Sequence, residues 1–166
     1  IMDMLSDIEN KYLSWRIEGS DIANINENAS ESEPVMPSKW TYSYLENVLD
    51  LARKSSGAFD PTLGRVSQLW NLESDNPYIP SKSELTELLL ETGWEKINLG
   101  DGEVFLKDGV HIDLGAVGKG IGCDEARKML EEADADAAVV SVGGSILTYG
   151  KKPDGKPWKI GIANPR

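Results

Sequence analysis

At Gly93 the apolar residues of this chain change their spacing, and that change limits the folds open to it. Before this point Leu5, Ile8 and Tyr12 fall at helical intervals, Leu45, Val48, Leu49 and Ala52 do so again, and Leu85, Leu88 and Leu89 form a third stripe. These intervals predict helices near residues 3–13, 39–55 and 82–92. Beyond it, Lys96–Leu99, Glu103–Lys107 and Val110–Leu114 read as strands, the first two joined by Gly100-Asp101-Gly102, a hairpin-type turn. Helices followed by short antiparallel strands point to an α+β fold, with an antiparallel or mixed sheet flanked by helices.

The second half repeats the alternation. Val117–Glu132 reads as a helix with Cys123, Ala126, Leu130 and Ala133 on one apolar face and Asp124 placed four residues before Lys128 as a surface pair. On that face Cys123 is a packing residue. Ala137–Val142 is a continuous apolar run suited to a buried central strand, and it ends in Gly143-Gly144. Ser145–Tyr149 and Trp158–Ala163 read as its neighbours. Between the first two helices the polar stretch Asn24–Ser38 reads as a short helix followed by an exposed loop. A length of 166 residues with 40% hydrophobic content fits one compact domain, which is the starting expectation, or one domain and part of a second.

Charge narrows the function. A net charge of −11 repels phosphodiester polymers and anionic headgroups, so nucleic acid and polybasic membrane docking are excluded as working readings. An anionic small ligand would need a local device: a helix N-terminus, a lysine or a metal ion. One cysteine and one histidine exclude a disulfide framework and a zinc site built from several such ligands. The start Ile1-Met2-Asp3-Met4 shows neither a basic segment nor an apolar signal core, so the sequence predicts a cytosolic protein or one whose targeting segment has been removed.

Two segments could carry chemistry. Asp113-Leu114-Gly115-Ala116-Val117-Gly118-Lys119-Gly120 runs from a strand end through glycines into a helix with a lysine in its first turns. Such a junction aims free N–H groups and the positive helix end at one point, which suits a diphosphate. It is neither a Walker A loop nor G-x-G-x-x-G. The competing reading is a glycine-rich turn required by packing, with Lys119 solvated and Asp113 serving the helix terminus. In Ser55-Ser56-Gly57-Ala58-Phe59-Asp60-Pro61, Asp60 reads as an N-cap and Pro61 as the first residue of a helix running to Trp70. His111 alternates with Ile112 in its strand and is given no role.

Taken in order, SGAFDPTLGRVSQLWN, IDLGAVGKGIGCDEARKML, AVVSVGGSILTYG and PDGKPWKIGIANP resemble the FAD:protein FMN transferases of the ApbE family. The upstream YLSWRIEGSDIANIN is similar to that family's early segment, with Ser20 and Asn26 at its characteristic serine and asparagine. The resemblance implies that Ala58, Phe59 and Asp60 line a flavin site, that Asp113 and Lys119 hold FAD, and that the carbonyl of Ala116 is one magnesium ligand. It implies a reaction in which a threonine or serine hydroxyl of an acceptor flavoprotein subunit attacks the FAD diphosphate, leaving FMN on the protein and releasing AMP. Catalytic residues stay unassigned.

The resemblance also has departures. Family members commonly carry alanine where Gly118 stands, and Asp or Asn where Ser145 stands. The family's second part, with its His-x-x-Asp-Pro segment and late Asp and Thr, has no counterpart here. The chain is therefore expected to be the first two-thirds of the fold, incomplete at its C-terminus, a fragment or a chain whose remainder is a separate polypeptide, with little or no transferase activity unless the rest is supplied. The family further implies an extracytoplasmic, lipid-anchored protein at the outer face of the cytoplasmic membrane. A flavin-binding module without chemistry and a purely structural domain are the other classes in view.

Overall fold

The computed structural model describes residues 1–72, 74–107 and 109–164. Its elements are, in chain order, α1 (Met2–Asp7), α2 (Asp21–Asn28), α3 (Lys39–Lys54), α4 (Gly64–Trp70), α5 (Lys82–Leu89), β1 (Ile97–Gly100), β2 (Glu103–Leu106), α6 (Gly115–Glu132), β3 (Ala137–Val142) and β4 (Ser145–Gly150). A π-helical turn, Ile8–Leu13, follows α1, so the helix expected over residues 3–13 is two pieces. Contacts divide the chain into two compact units, Asp7–Ala116 and Ile1–Ser6 with Val117–Arg166.

In the larger unit, helix starts are fixed by short polar side chains. Ser20, fully buried, accepts from the N–H of Ala23 at 3.1 Å and donates to the carbonyl of Ser14 at 2.6 Å. This cap starts α2 at Asp21, ahead of the polar stretch beginning at Asn24. Asp21 then uses one carboxylate oxygen to accept from Ser38 N (3.1 Å), Ser38 Oγ (2.6 Å) and Thr41 Oγ1 (2.5 Å), which ties α2 to the first turn of α3. Helix α3 buries Thr41, Leu45, Val48, Leu49 and Ala52 on one face, each large apolar side chain contributing ~1.5–3 kcal/mol. Helix α5 opens with a reciprocal Ser81–Glu84 capping box and ends at Leu89, three residues short of the expected limit.

Strands β1 and β2 pair antiparallel, Ile97 opposite Leu106 and Gly100 opposite Glu103. Asp101 and Gly102 have φ of 52° and 85°, the pair of positive angles that a type I′ hairpin turn needs. Val35 joins this hairpin by a bridge to Val104, with N–H···O distances of 3.0 and 2.8 Å. The loop expected at this point thus contributes to the sheet. Ile22, Ile25, Leu45, Val104, Ile112 and Leu114 form the fully buried core.

Val110–Leu114 corrects the sequence reading. Its side chains alternate as predicted, Val110, Ile112 and Leu114 being buried, but it is not a strand. Its backbone bonds go to Lys107, to the turn at residues 61–64 and to the side chain of Asn26, and among the described residues its one ladder element is an isolated bridge between Leu63 and His111.

In the smaller unit α6 meets α1 and β3 through Gly122, where a Cβ would stand 3.0 Å from Leu5 and 3.1 Å from Val142. Ala126 and Leu130 are buried as predicted and Cys123 is half-buried, its thiol pKa raised by burial and then by Asp124. Lys128 pairs with Glu125 at 2.5 Å instead of Asp124. Gly143 and Gly144, with φ of 53° and 95°, make a second type I′ turn between β3 and β4. Strand β3 is not a buried central strand. Among the described residues it pairs with β4 alone, and Val139 and Ile146 remain 46% and 47% exposed. Trp158–Ala163 is likewise not a strand. Its Trp158 Nε1 donates to the carbonyl of Tyr149, but no backbone ladder forms and Ile162 is 94% exposed.

Candidate functional site

The chain leaves α3 through Ser55, whose hydroxyl donates to the carbonyl of Ala52 and accepts from the N–H of Phe59 at 3.1 Å. Ser56 and Gly57 take positive φ in this turn, which leaves Ala58 exposed and Phe59 and Asp60 half-buried. Asp60 is not the cap of a helix starting at Pro61. Helix α4 begins at Gly64, because the Asp60 carboxylate is occupied by three donors: Thr62 N (2.9 Å) and Thr62 Oγ1 (2.6 Å) on Oδ1, and Trp94 N (3.1 Å) on Oδ2. Thr62 Oγ1 in turn accepts from Gly93 N at 2.7 Å. Asp60 therefore locks the Ala58–Thr62 loop onto the turn that leads into β1.

The same loop lies against the segment that carries Asp113. Asp113 N donates to the carbonyl of Pro61 at 2.8 Å, and Gly64 N donates to the carbonyl of His111 at 3.1 Å. The contact is close because Gly64 has no side chain: a Cβ would stand 2.2 Å from His111 Nδ1 and 2.7 Å from its carbonyl oxygen. Two of the predicted segments, Ala58–Asp60 and Asp113, are thus joined within one unit although more than fifty residues separate them.

Asp113 Oδ1 accepts from Gly115 N, the first residue of α6, at 2.8 Å. The next N–H groups, those of Ala116 and Val117, have no acceptor within the helix by geometry. A carboxylate already at the terminus repels a bare phosphate, so Asp113 suits a ligand hydroxyl or N–H, and a diphosphate beside it requires a cation. Ala116 is exposed, and its carbonyl keeps one lone pair beyond its helical bond. No group of three or more His, Cys, Asp or Glu side chains assembles a cation site among the described residues. Magnesium takes oxygen ligands and usually keeps several waters, so an exposed carbonyl such as that of Ala116 has the donor chemistry for one position.

Lys119 belongs to the smaller unit. It is exposed, and its stem lies across the β3–β4 turn, with Cε 3.0 Å from where a Cβ of Gly143 would stand. The glycine pair thereby leaves room for this lysine as well as making the turn.

The sequence reading missed a cluster around His111. Asn26 Nδ2 lies 3.3 Å from His111 Nδ1, Gln68 Nε2 lies 3.0 Å from its Nε2, and Trp15 meets the ring edge-on at 5.3 Å. Burial, and then the charge of Arg65, hold the imidazole pKa below the ordinary histidine value. Two grooves of about 780 and 680 Å³ share Trp15, Arg16 and Gln68; neither is lined by Ala58, Phe59, Asp60, Asp113, Ala116 or Lys119. Trp15 Nε1 is buried without a hydrogen-bond partner among the described residues, and Arg16 stacks 4.2 Å from its ring centroid. No periodicity or spacing signals such a cluster, whose members come from positions 15, 26, 68 and 111.

Comparison with known proteins places this geometry in a family. The chain is 31% identical to an FAD:protein FMN transferase of Treponema pallidum over 92% of its own length and 46% of the relative's. It is 30% identical to one of Haemophilus influenzae over 98% and 49%. Among solved structures it superimposes on the ApbE protein of Thermotoga maritima with a TM-score of 0.88 at 33% identity, covering 99% of this chain and 55% of that one. The flavin transferase ApbE of Vibrio cholerae gives 0.88 at 27% identity, covering 99% and 54%. The chain thus spans about half the length of the curated relatives it matches, less than the two-thirds expected from its motifs. The α+β reading agrees with these superpositions, and with a family model described as the ApbE family matched over residues 1–166, the chain belongs to the ApbE family.

Proposed function

We propose that this chain is the FAD-holding part of an FAD:protein FMN transferase, a transferase that moves FMN from FAD to a threonine or serine of an acceptor flavoprotein subunit. The observation that carries the reading is the hydrogen bond from Asp113 N to the carbonyl of Pro61, which sets Asp113 beside the end of the Ala58–Asp60 stretch, two segments that the family resemblance assigns to flavin. Asp113 would accept from a hydroxyl or N–H of FAD, Lys119 would meet its diphosphate, and Ala58 and Phe59 would border the ligand. Asp60 acts one step back, holding that loop to Trp94.

Magnesium, when bound, would neutralise charge on the diphosphate, with the carbonyl of Ala116 among its ligands. The part played by this chain's own residues is binding and orientation. An extracytoplasmic location belongs to the proposal and is supported by the family resemblance.

The test is covalent flavin fluorescence on an acceptor flavoprotein subunit incubated with FAD, magnesium and this chain, alone and joined to the segment matching the uncovered half of its relatives. Transfer by the joined protein and little by the chain alone is the expected result. FAD binding without covalent flavin in either case would favour the binding-module reading.

A further inference from the structure

Ile112 lies in an extended segment without a strand beside it, yet both its backbone groups are paired. The side-chain amide of Asn26, on α2, serves both: Oδ1 accepts from Ile112 N at 2.7 Å, and Nδ2 donates to the Ile112 carbonyl at 2.9 Å. One side chain thereby replaces a neighbouring strand at the residue preceding Asp113. We propose that Asn26 is a positioning residue for the flavin site, its amide fixing Asp113 through the backbone of Ile112. This role rests on the reading that Asp113 holds FAD.

The hydrogen-bond pattern sets the state of His111. Because the Ile112 N–H requires an acceptor, Oδ1 is the atom facing it, and Nδ2 is left to face His111 Nδ1 at 3.3 Å. Nδ1 must then be unprotonated, which puts the ring proton on Nε2. Gln68 must present its amide oxygen, not its nitrogen, at the 3.0 Å contact. The groups facing the ring are Asn26 from α2, Arg65 and Gln68 from α4, Trp15 from the loop before α2, and Asp113 from its own segment; Arg16 and Glu27 line the same groove. Burial and then Arg65 lower the imidazole pKa, the direction that the amide pattern favours. A proton on Nδ1 would face the donors of Nδ2 and push the clamp apart.

The substitution Asn26→Asp keeps an acceptor for Ile112 N and removes both donors. Its expected effects are an FAD affinity lower by about ten-fold or more and a His111 pKa, followed by NMR, that rises because the new carboxylate accepts from Nδ1–H. In the unaltered chain FAD affinity is expected to fall as His111 takes up its proton, a measurement that needs no variant to fold. If the unaltered chain does not bind FAD, the flavin reading fails and the role fails with it. If it binds FAD with an affinity indifferent to His111 protonation, or if folded Asn26→Asp binds FAD as the unaltered chain does, the positioning role alone is overturned.

Discussion

Replacing Gly64 by alanine tests the junction on which the site is built. The added Cβ would stand 2.2 Å from His111 Nδ1, 3.0 Å from its Cγ and 2.7 Å from its carbonyl oxygen. The ring could turn away from such a contact, at the expense of Asn26 and Gln68. The carbonyl cannot move without stretching the 3.1 Å bond from Gly64 N and displacing Ile112, which Asn26 holds at both ends. Overpacking of this kind costs ~1–3 kcal/mol, and a weakened hydrogen bond adds ~1 kcal/mol. Against this, alanine gains at most ~1 kcal/mol over glycine in a helix, and less at the first residue of α4. The net loss of ~1–3 kcal/mol corresponds to a melting temperature lower by roughly 3–10 °C for a chain of this size. Thermal unfolding followed by tryptophan fluorescence reads the larger unit, which holds Trp15, Trp40, Trp70 and Trp94. A Gly64→Ala protein that melts at or above the temperature of the unaltered chain would refute the close-approach reasoning.

Asp60→Ala strips the acceptor from Thr62 N, Thr62 Oγ1 and Trp94 N, and is expected to cost ~2–4 kcal/mol in urea unfolding, more than Asp60→Asn; equal stability of the Ala variant and the unaltered chain would show that the network holds nothing. His111 has a folded pKa below its unfolded value, so the unfolded chain binds the proton more tightly. Stability from this group is present above the ordinary histidine pKa and is lost as pH falls through the folded pKa. Urea midpoints should therefore drop more steeply with acidification for the unaltered chain than for His111→Gln, and parallel profiles would contradict the assignment.

Much of the fold was legible because its signals are local. Stripes at helical spacing and the glycine-containing turns at Asp101-Gly102 and Gly143-Gly144 each specify their element within a few residues. What escaped was decided at long range. The alternation of Val110, Ile112 and Leu114 correctly predicts burial, but whether an extended segment becomes a strand depends on what lies beside it, here Asn26 and the turn at residues 61–64. Ala137–Val142 is apolar enough for a central strand, yet composition does not specify how many neighbours a strand finds. Asp60 before Pro61 carries the local pattern of a helix cap, and Thr62 and Trp94 take its oxygens instead. At the site, the resemblance picked out Asp113 and the Ala58–Asp60 loop, which the structure joins, while the surroundings of His111 became visible only in three dimensions.

Calorimetric titration with FAD, with and without magnesium, shows whether this chain holds FAD. Lys119→Ala is the informative variant, since Lys119 is exposed and its loss leaves the Asp60 and Asn26 networks intact, whereas Asp60→Ala perturbs the loop itself. FAD binding that magnesium strengthens and Lys119→Ala weakens by about ten-fold is the predicted result. A folded chain that takes up no FAD under either condition would contradict it.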